Sequence, residues 1–404
     1  MLSWLRALAA TTVAASMFSG TALAETPATP LKIGLLVDFA SVYSDIGGTG
    51  SVESAKMAIE EFGNTMFGKP IELVIADPQM KPDIAGSIAR KWYEAENVDI
   101  ILGLPSSAMA LAAIEASKRF EKLMILTEAA SSDLVGKYCT PYSLQWTYDT
   151  YSNAYAVSNA IVKKGGDSWF FITADYAGGH AIERDAAAVV TAAGGKVLGN
   201  TRHPLNTSDF SSYLLRAQAS KAKIIGLANV GGDAINTIKQ ATEFGIVAGG
   251  QKLAATVMFI TDIHSLGLQM MQGVTTTEAF YWDQNDRSRA FGKKFFERVK
   301  RMPTMNQVGT YSAVLHYLKA VKAAGTKDTK TVLAKMRELP VRDAFTDNGY
   351  LREDGRMVHS LLLLEVKKPE ESKYPWDYYK VLAEVPGDEA IRSMKDNGCP
   401  LVNK

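Results

Sequence analysis

Two cysteines and five histidines are few for a chain of 404 residues, and their placement excludes most metal chemistry. Cys139 and Cys399 are either a bridged pair or two buried free thiols. His180, His203, His264, His316 and His359 are scattered, with no H-E-x-x-H and no i,i+4 pair, so no metal is expected. No G-x-S-x-G elbow is present, which removes the serine-hydrolase reading. Charge of either sign is not in excess: 44 basic residues face 43 acidic ones, without a Lys/Arg block. That leaves no electrostatic footprint for nucleic acid or an anionic membrane. Past the first two dozen residues no apolar run approaches a membrane span, and the densest, LLLLEV at 361–366, suits a buried strand. Gly63 to Pro70 approaches a phosphate-binding loop, but Pro70 stands where a hydroxyl is required and the segment runs from helix to strand, the reverse of the needed order.

The start of the chain is an export signal. Arg6 precedes an apolar, small-residue stretch, and Ala22-Leu23-Ala24 is an A-x-A cleavage site, so cleavage is expected after Ala24. No cysteine stands directly after the cut, where Glu25 follows Ala24, so no lipid anchor is expected. Arg6 is the one ionisable side chain in the removed segment, and the mature chain balances 43 basic against 43 acidic residues. The destination is the periplasm. In an oxidising compartment an even pair is expected to be bridged, which makes Cys139–Cys399 a disulfide that pins the chain end.

Strand and helix alternate through the first half. Apolar strands at 31–37, 71–76, 98–102 and 123–126 are separated by amphipathic helices at 52–62, 84–96 and 108–120. Continuous apolar strands of this kind indicate a parallel sheet covered on both faces. The pattern pauses at 142–148 and restarts, with strands at 169–173, 224–228, 253–257 and 273–280. Two βα series of similar size imply an α/β chain of two doubly wound lobes. Helices at 289–300, 307–324 and 331–338 follow, then a strand-rich closing part.

Ligands of doubly wound sheets sit beyond the carboxyl ends of strands, where helix N-termini present free N–H groups. The loops at those ends carry Tyr43, then Ser106 and Ser107, then Glu128, Ala129 and Ala130, and in the second series Tyr176, Asn229 and Asp233. Two hydroxyls and free amides at Ser106 and Ser107 suit a carboxylate, a role compatible with simple N-capping by one serine. Of the aromatic cluster Tyr138, Tyr142, Trp146, Tyr148 and Tyr151 at the suspected crossover, most are expected to pack the hinge and Tyr148 to touch ligand. No nucleophile–base pair occurs among these residues, so neither catalysis nor a cofactor is expected.

The segments LKIGLLVDFASVYSDIGG, IILGLPSS, LMILTEAASSDLVGKYC, ITADYAGG, NVGGDAINTIKQATEFGI and YSAVLHYLKAV occur in that order. With them the chain resembles the leucine/isoleucine/valine-binding family of periplasmic solute receptors that serve ABC importers. The WTYDTY crossover, ESKYPWDYYKV and the C-terminal CPLV look like the branch that includes aromatic-acid binders. The resemblance implies the type I periplasmic binding fold: two Rossmann-like lobes, joined by a three-crossover hinge, that close on ligand. It implies a signal at 1–24, one lobe from 25–146 with 281–345, the other from 147–280 with 346–395, and a tail at 396–404. It assigns a ligand carboxylate to Ser107 and the Ala130 amide, and keeps Tyr176. It places Glu128 where the family offers a backbone carbonyl to an ammonium, Asp233 where a tyrosine contacts ligand, and Thr256 where an acid pairs with the α-amino group; Glu128 or Asp233 would then replace that acid. The expected function is capture of a small carboxylate, a branched-chain amino acid or an aromatic acid, by a monomer that delivers it to an inner-membrane ABC permease. The alternative is a sensor that presents its closed form to a membrane receptor.

Overall fold

A computed structural model describes residues 29–402. The export signal at 1–24 and its cleavage site lie outside the described residues. The first sheet runs in the order Glu72–Ala76, Lys32–Leu36, Ile100–Gly103, Leu123–Leu126, Ser143–Gln145, every pair parallel. Its inner strands are apolar on both faces because helices cover both. On one side Ile33, Leu35 and Ile100 pack with the helices Gly48–Phe62 and Met305–Ala324. On the other, Leu36, Ile101 and Met124 pack with Pro82–Glu94 and Ser107–Phe120.

The second sheet, also parallel, has the order Lys252–Ala255, Ile224–Ala228, Ser168–Ala174, Lys196–His203. The helices Thr150–Lys163 and Ala177–Ala192 pack on one face, and Ser211–Ala219 and Gly232–Glu243 on the other. In both sheets the strand order reverses beside the first strand of the unit. Each lobe therefore opens a crevice at its switch point, and the two crevices face each other. The interruption read at 142–148 contains the fifth strand, Ser143–Gln145, and leads into the helix Thr150–Lys163. A three-residue edge strand is too short to show a period, and the helix start is marked only by Asp149, whose carboxylate accepts the Ser152 N–H at 2.8 Å.

The chain crosses between lobes three times, at 145–150, 278–286 and 358–361. Arg356, fully buried, ties the first crossing to the segment that leads into the third: its Nε donates to Asp149 at 3.0 Å and its Nη1 to the carbonyls of Gln145, Trp146 and Met357. A third, antiparallel sheet of Thr275–Glu278, Leu361–Val366 and Tyr379–Val385 closes the second lobe. The hairpin Tyr350–Leu351 with Met357–Val358 stays beside the first lobe, where Gln145 N–H donates to the Gly355 carbonyl at 2.9 Å. The chain end then returns to the first lobe. Cys139 and Cys399 form the disulfide, with Cα atoms 5.7 Å apart at a sequence separation of 260. Closing so long a loop stabilises the fold by about 3–5 kcal/mol in chain-entropy terms.

Candidate functional site

Between the two crevices lies a cavity with about 420 Å³ of space not filled by protein atoms. Its first wall is the N-terminus of the helix Ser107–Phe120. Ser106 is the cap, in extended conformation, and its Oγ accepts the Met109 N–H at 3.3 Å. Ser107 is thereby released from capping. Its Oγ accepts the Ser131 N–H at 3.1 Å, and its own proton has no acceptor among the described residues. The first amides of any helix lack an intrahelical acceptor and carry the positive end of the dipole. Such a corner can accept an anion.

The strand Leu123–Leu126 delivers Glu128, Ala129 and Ala130 to the adjoining wall. Buried Gln145 holds that wall, with Nε2 donating to the carbonyls of Ala129 at 3.1 Å and Ser131 at 3.3 Å. Glu128 is buried beneath the first turn of Gly48–Phe62, and its Oε1 accepts the Ser51 hydroxyl at 2.8 Å. A Cβ on Gly47 would lie 2.3 Å from that oxygen, so the carboxyl fits there because residue 47 is glycine. Burial pushes the Glu128 carboxyl up to about 7, against the Ser51 hydrogen bond and with a smaller push from the Asp38 charge.

Tyrosines close the cleft. Tyr43, from the loop after Lys32–Leu36, donates to Tyr176 Oη at 2.9 Å across the lobe boundary. Burial raises both phenols, Tyr176 to about 12, so both stay protonated. Tyr148 packs edge-on against Phe259, ring centroids 6.2 Å apart. Beside them the loop before Gly232–Glu243 touches the first lobe, with Gly232 N–H donating to the Val42 carbonyl at 3.3 Å.

Larger depressions lie elsewhere. Two of them are a depression of paired charges such as Glu60 with Arg298, on the outer face of Gly48–Phe62, and one that borders Lys252–Ala255. Neither sits at a switch point.

The sequence profile of the periplasmic binding protein family matches residues 30–372. The chain belongs to that family. This binding protein is similar to the solved structure of a periplasmic binding protein from Burkholderia mallei, at 47% identity and TM-score 0.90, over 92% of this chain and 99% of that one. A branched-chain amino acid ABC transporter periplasmic ligand-binding protein from Burkholderia xenovorans is similar at 40% identity and TM-score 0.81, over 92% and 99% of the two chains. Among curated proteins, Leu/Ile/Val-binding protein homolog 6 of Brucella melitensis is 24% identical over 353 residues, 85% of this chain and 89% of that protein.

The cavity of this binding protein brings together Tyr43, Ser106, Ser107, Glu128, Ala129, Ala130, Tyr148 and Tyr176. It does not include Asn229, Asp233 or Thr256. Val230 and Val257 stand on the wall instead, because successive side chains of an extended segment alternate in direction. Asn229 Nδ2 contacts His203 and Thr237, each at 3.0 Å. Asp233 accepts the N–H groups of Asn206 at 3.2 Å and Thr207 at 3.0 Å, pinning a loop of its own lobe, and burial raises its carboxyl to about 6. Thr256 is buried and its hydroxyl finds no partner. Besides Val230 and Val257, the sequence reading missed Ile46, Pro105, Gly178, Ile182, Phe259 and Asn306. Five of these are apolar or lack a side chain and carry no chemical signal. Asn306 lies within a readable capping box, Thr304 with Gln307, but nothing local links that helix start to the cleft.

Among the described residues no helix is long and apolar enough to cross a membrane, and no group of three or more potential ligands stands ready for a metal.

Proposed function

We propose that this periplasmic binding protein is the soluble receptor of an ABC importer, and that it captures a small carboxylate between its lobes. The observation that carries the reading is the free hydroxyl of Ser107 beside unpaired helix amides on the cavity wall. Ser107 and the Ala130 amide hold the carboxylate; Ile46, Ile182, Val230, Val257 and Phe259 receive an apolar body, that of a branched-chain amino acid or an aromatic acid. Tyr43 and Tyr176 seal the mouth. No residue pair on the wall is arranged as nucleophile and base, so the protein binds and releases its ligand unchanged. It is exported, cleaved after Ala24, and meets its permease as a monomer at the outer face of the inner membrane. Among the described residues, 29–146 with 281–345 move as one lobe, and 147–280 with most of 346–395 as the other.

Thermal unfolding of the mature chain with L-leucine, L-isoleucine, L-valine, benzoate and 4-hydroxybenzoate, each beside its methyl ester, tests the reading. A ligand at a hundredfold over its Kd stabilises the folded state by about 2.7 kcal/mol. At least one acid raises the midpoint and its ester does not. Equal shifts by acid and ester, or none by any acid, overturn the proposal.

A further inference from the structure

The two parallel sheets differ at their fifth position. In the first lobe Ser143–Gln145 pairs with Leu123–Leu126 and completes the sheet. In the second lobe the strand that follows Lys252–Ala255, Thr275–Glu278, pairs with Leu361–Val366 instead, so Lys252–Ala255 ends its sheet with an edge that no described strand covers. A cavity of about 510 Å³ opens between these two strands, with Leu253 on one side and Val274 on the other. Ile224, Lys252 and Thr275 each begin a strand, so the cavity lies at the end of the sheet opposite to the ligand cleft. Its interior is apolar: Ile161 comes from one helix layer and Ile238 from the other, with Met258 and Met271 buried between them. Unbranched methionines adapt to an irregular or flexible occupant. The volume is within the roughly 300–1,000 Å³ of small-molecule sites. The rim is cationic. Lys164 and Lys252 stand on it exposed, and neither has an ion pair or a side-chain hydrogen bond among the described residues. The acid on the same wall, Glu365, is already paired with Lys380 at 3.5 Å.

We propose that this cavity is a second ligand site, separate from the one between the lobes, and that it takes a free amphipathic carboxylate: a flexible alkyl chain ending in one anionic head. The chain fills the gap between the strands, where burial of apolar surface is the driving force. The head stays at the rim. A lysine can lay its stem along an apolar wall and keep its ammonium in water, so Lys164 and Lys252 can both reach the head without being buried. With Glu365 neutralised by Lys380, the two unpaired ammonium groups leave the rim with a net positive charge. That complementarity favours an anionic head over a neutral or cationic one on the same chain. A sugar or a compact zwitterion would leave most of its polar groups against Ile161, Ile238, Met258 and Met271 without partners.

Calorimetric titration of the mature chain with decanoate and 1-decanol, both below the concentrations at which they aggregate, tests this. Three proteins are compared: wild type, the double variant Lys164→Glu with Lys252→Glu, and Ser107→Ala. Both lysines are exposed, so their reversal leaves the fold intact, which the unfolding midpoint checks. Wild type binds decanoate more tightly than 1-decanol. Reversing the two charges weakens decanoate about tenfold, the order expected of two exposed ion pairs, and leaves 1-decanol unchanged. Ser107→Ala, at the other site, leaves decanoate unchanged. No binding of decanoate by the folded wild type, or equal decanoate affinity in wild type and the double variant, overturns the proposal. A loss of decanoate affinity in Ser107→Ala also overturns it, because the acid then sits between the lobes; that outcome leaves the inter-lobe carboxylate site standing.

Discussion

Ser107 is the residue on which the proposed recognition turns. Its neighbour takes the capping duty, and its oxygen accepts the Ser131 amide, which leaves the hydroxyl proton to donate to a ligand. Ser107→Ala removes one hydrogen bond to a charged group, about 1.5–3 kcal/mol, and weakens carboxylate binding about ten- to a hundredfold. Calorimetry on this variant checks it, and an unaltered Kd would mean that the carboxylate sits elsewhere. Glu128 predicts a pH effect. Its carboxyl titrates near 7 in the ligand-free fold and near the ordinary carboxylate value when unfolded. The folded state therefore favours the protonated form; its contribution to stability is complete below about pH 4 and is lost as pH rises through 7. The groups facing it are Ser51, Asp38 and Tyr148, none of them cationic. Urea unfolding between pH 4.5 and 7.5 should show a stability slope that is shallower in Glu128→Gln; an identical slope would contradict the placement of the carboxyl. At this scale the polar residues of the first lobe were legible because each directly follows an apolar strand. Asn229 and Thr256 stand one position from the wall residues Val230 and Val257, since local sequence does not fix which way an extended residue faces once the ladder ends.

The loops at the strand ends do the joining. Gly231, with φ of +58°, sits where a Cβ would lie 2.4 Å from the Val42 carbonyl of the opposite lobe. Its absence of a side chain is what lets the second-lobe loop approach the first. Gly231→Ala obstructs that approach, and overpacking of this order costs about 1–3 kcal/mol, or roughly ten- to a hundredfold in Kd. Gly245 is the control: its φ is also positive, at +65°, but nothing lies within 4 Å, so Gly245→Ala leaves affinity intact. Equal affinities for the two variants in the same titration would show that the Val42 contact plays no part in binding. Among elements, the strands Lys32–Leu36, Ile100–Gly103 and Ile224–Ala228 were readable because they are buried on both faces. Ser143–Gln145 was not: it is a polar, three-residue edge that exists because Leu123–Leu126 offers it a partner.

Two lobes, three crossings and a covalently tethered tail make a molecule whose working part is the gap between the lobes. The restart of the βα series was visible in the sequence, and so was the cysteine pair, from compartment alone. The buried hinge was not, because Arg356 meets Asp149 across 207 residues and no local pattern announces such a pair. The contacts that cross the cleft, Tyr43 to Tyr176 and Gly232 to Val42, can all form only when the lobes are together. A ligand bound better by that arrangement shifts the population toward it. Small-angle scattering of the mature chain, alone and saturated with whichever carboxylate raises its unfolding midpoint, measures this directly. The account predicts a smaller radius of gyration with the carboxylate bound; superimposable profiles at saturation would contradict capture between the lobes.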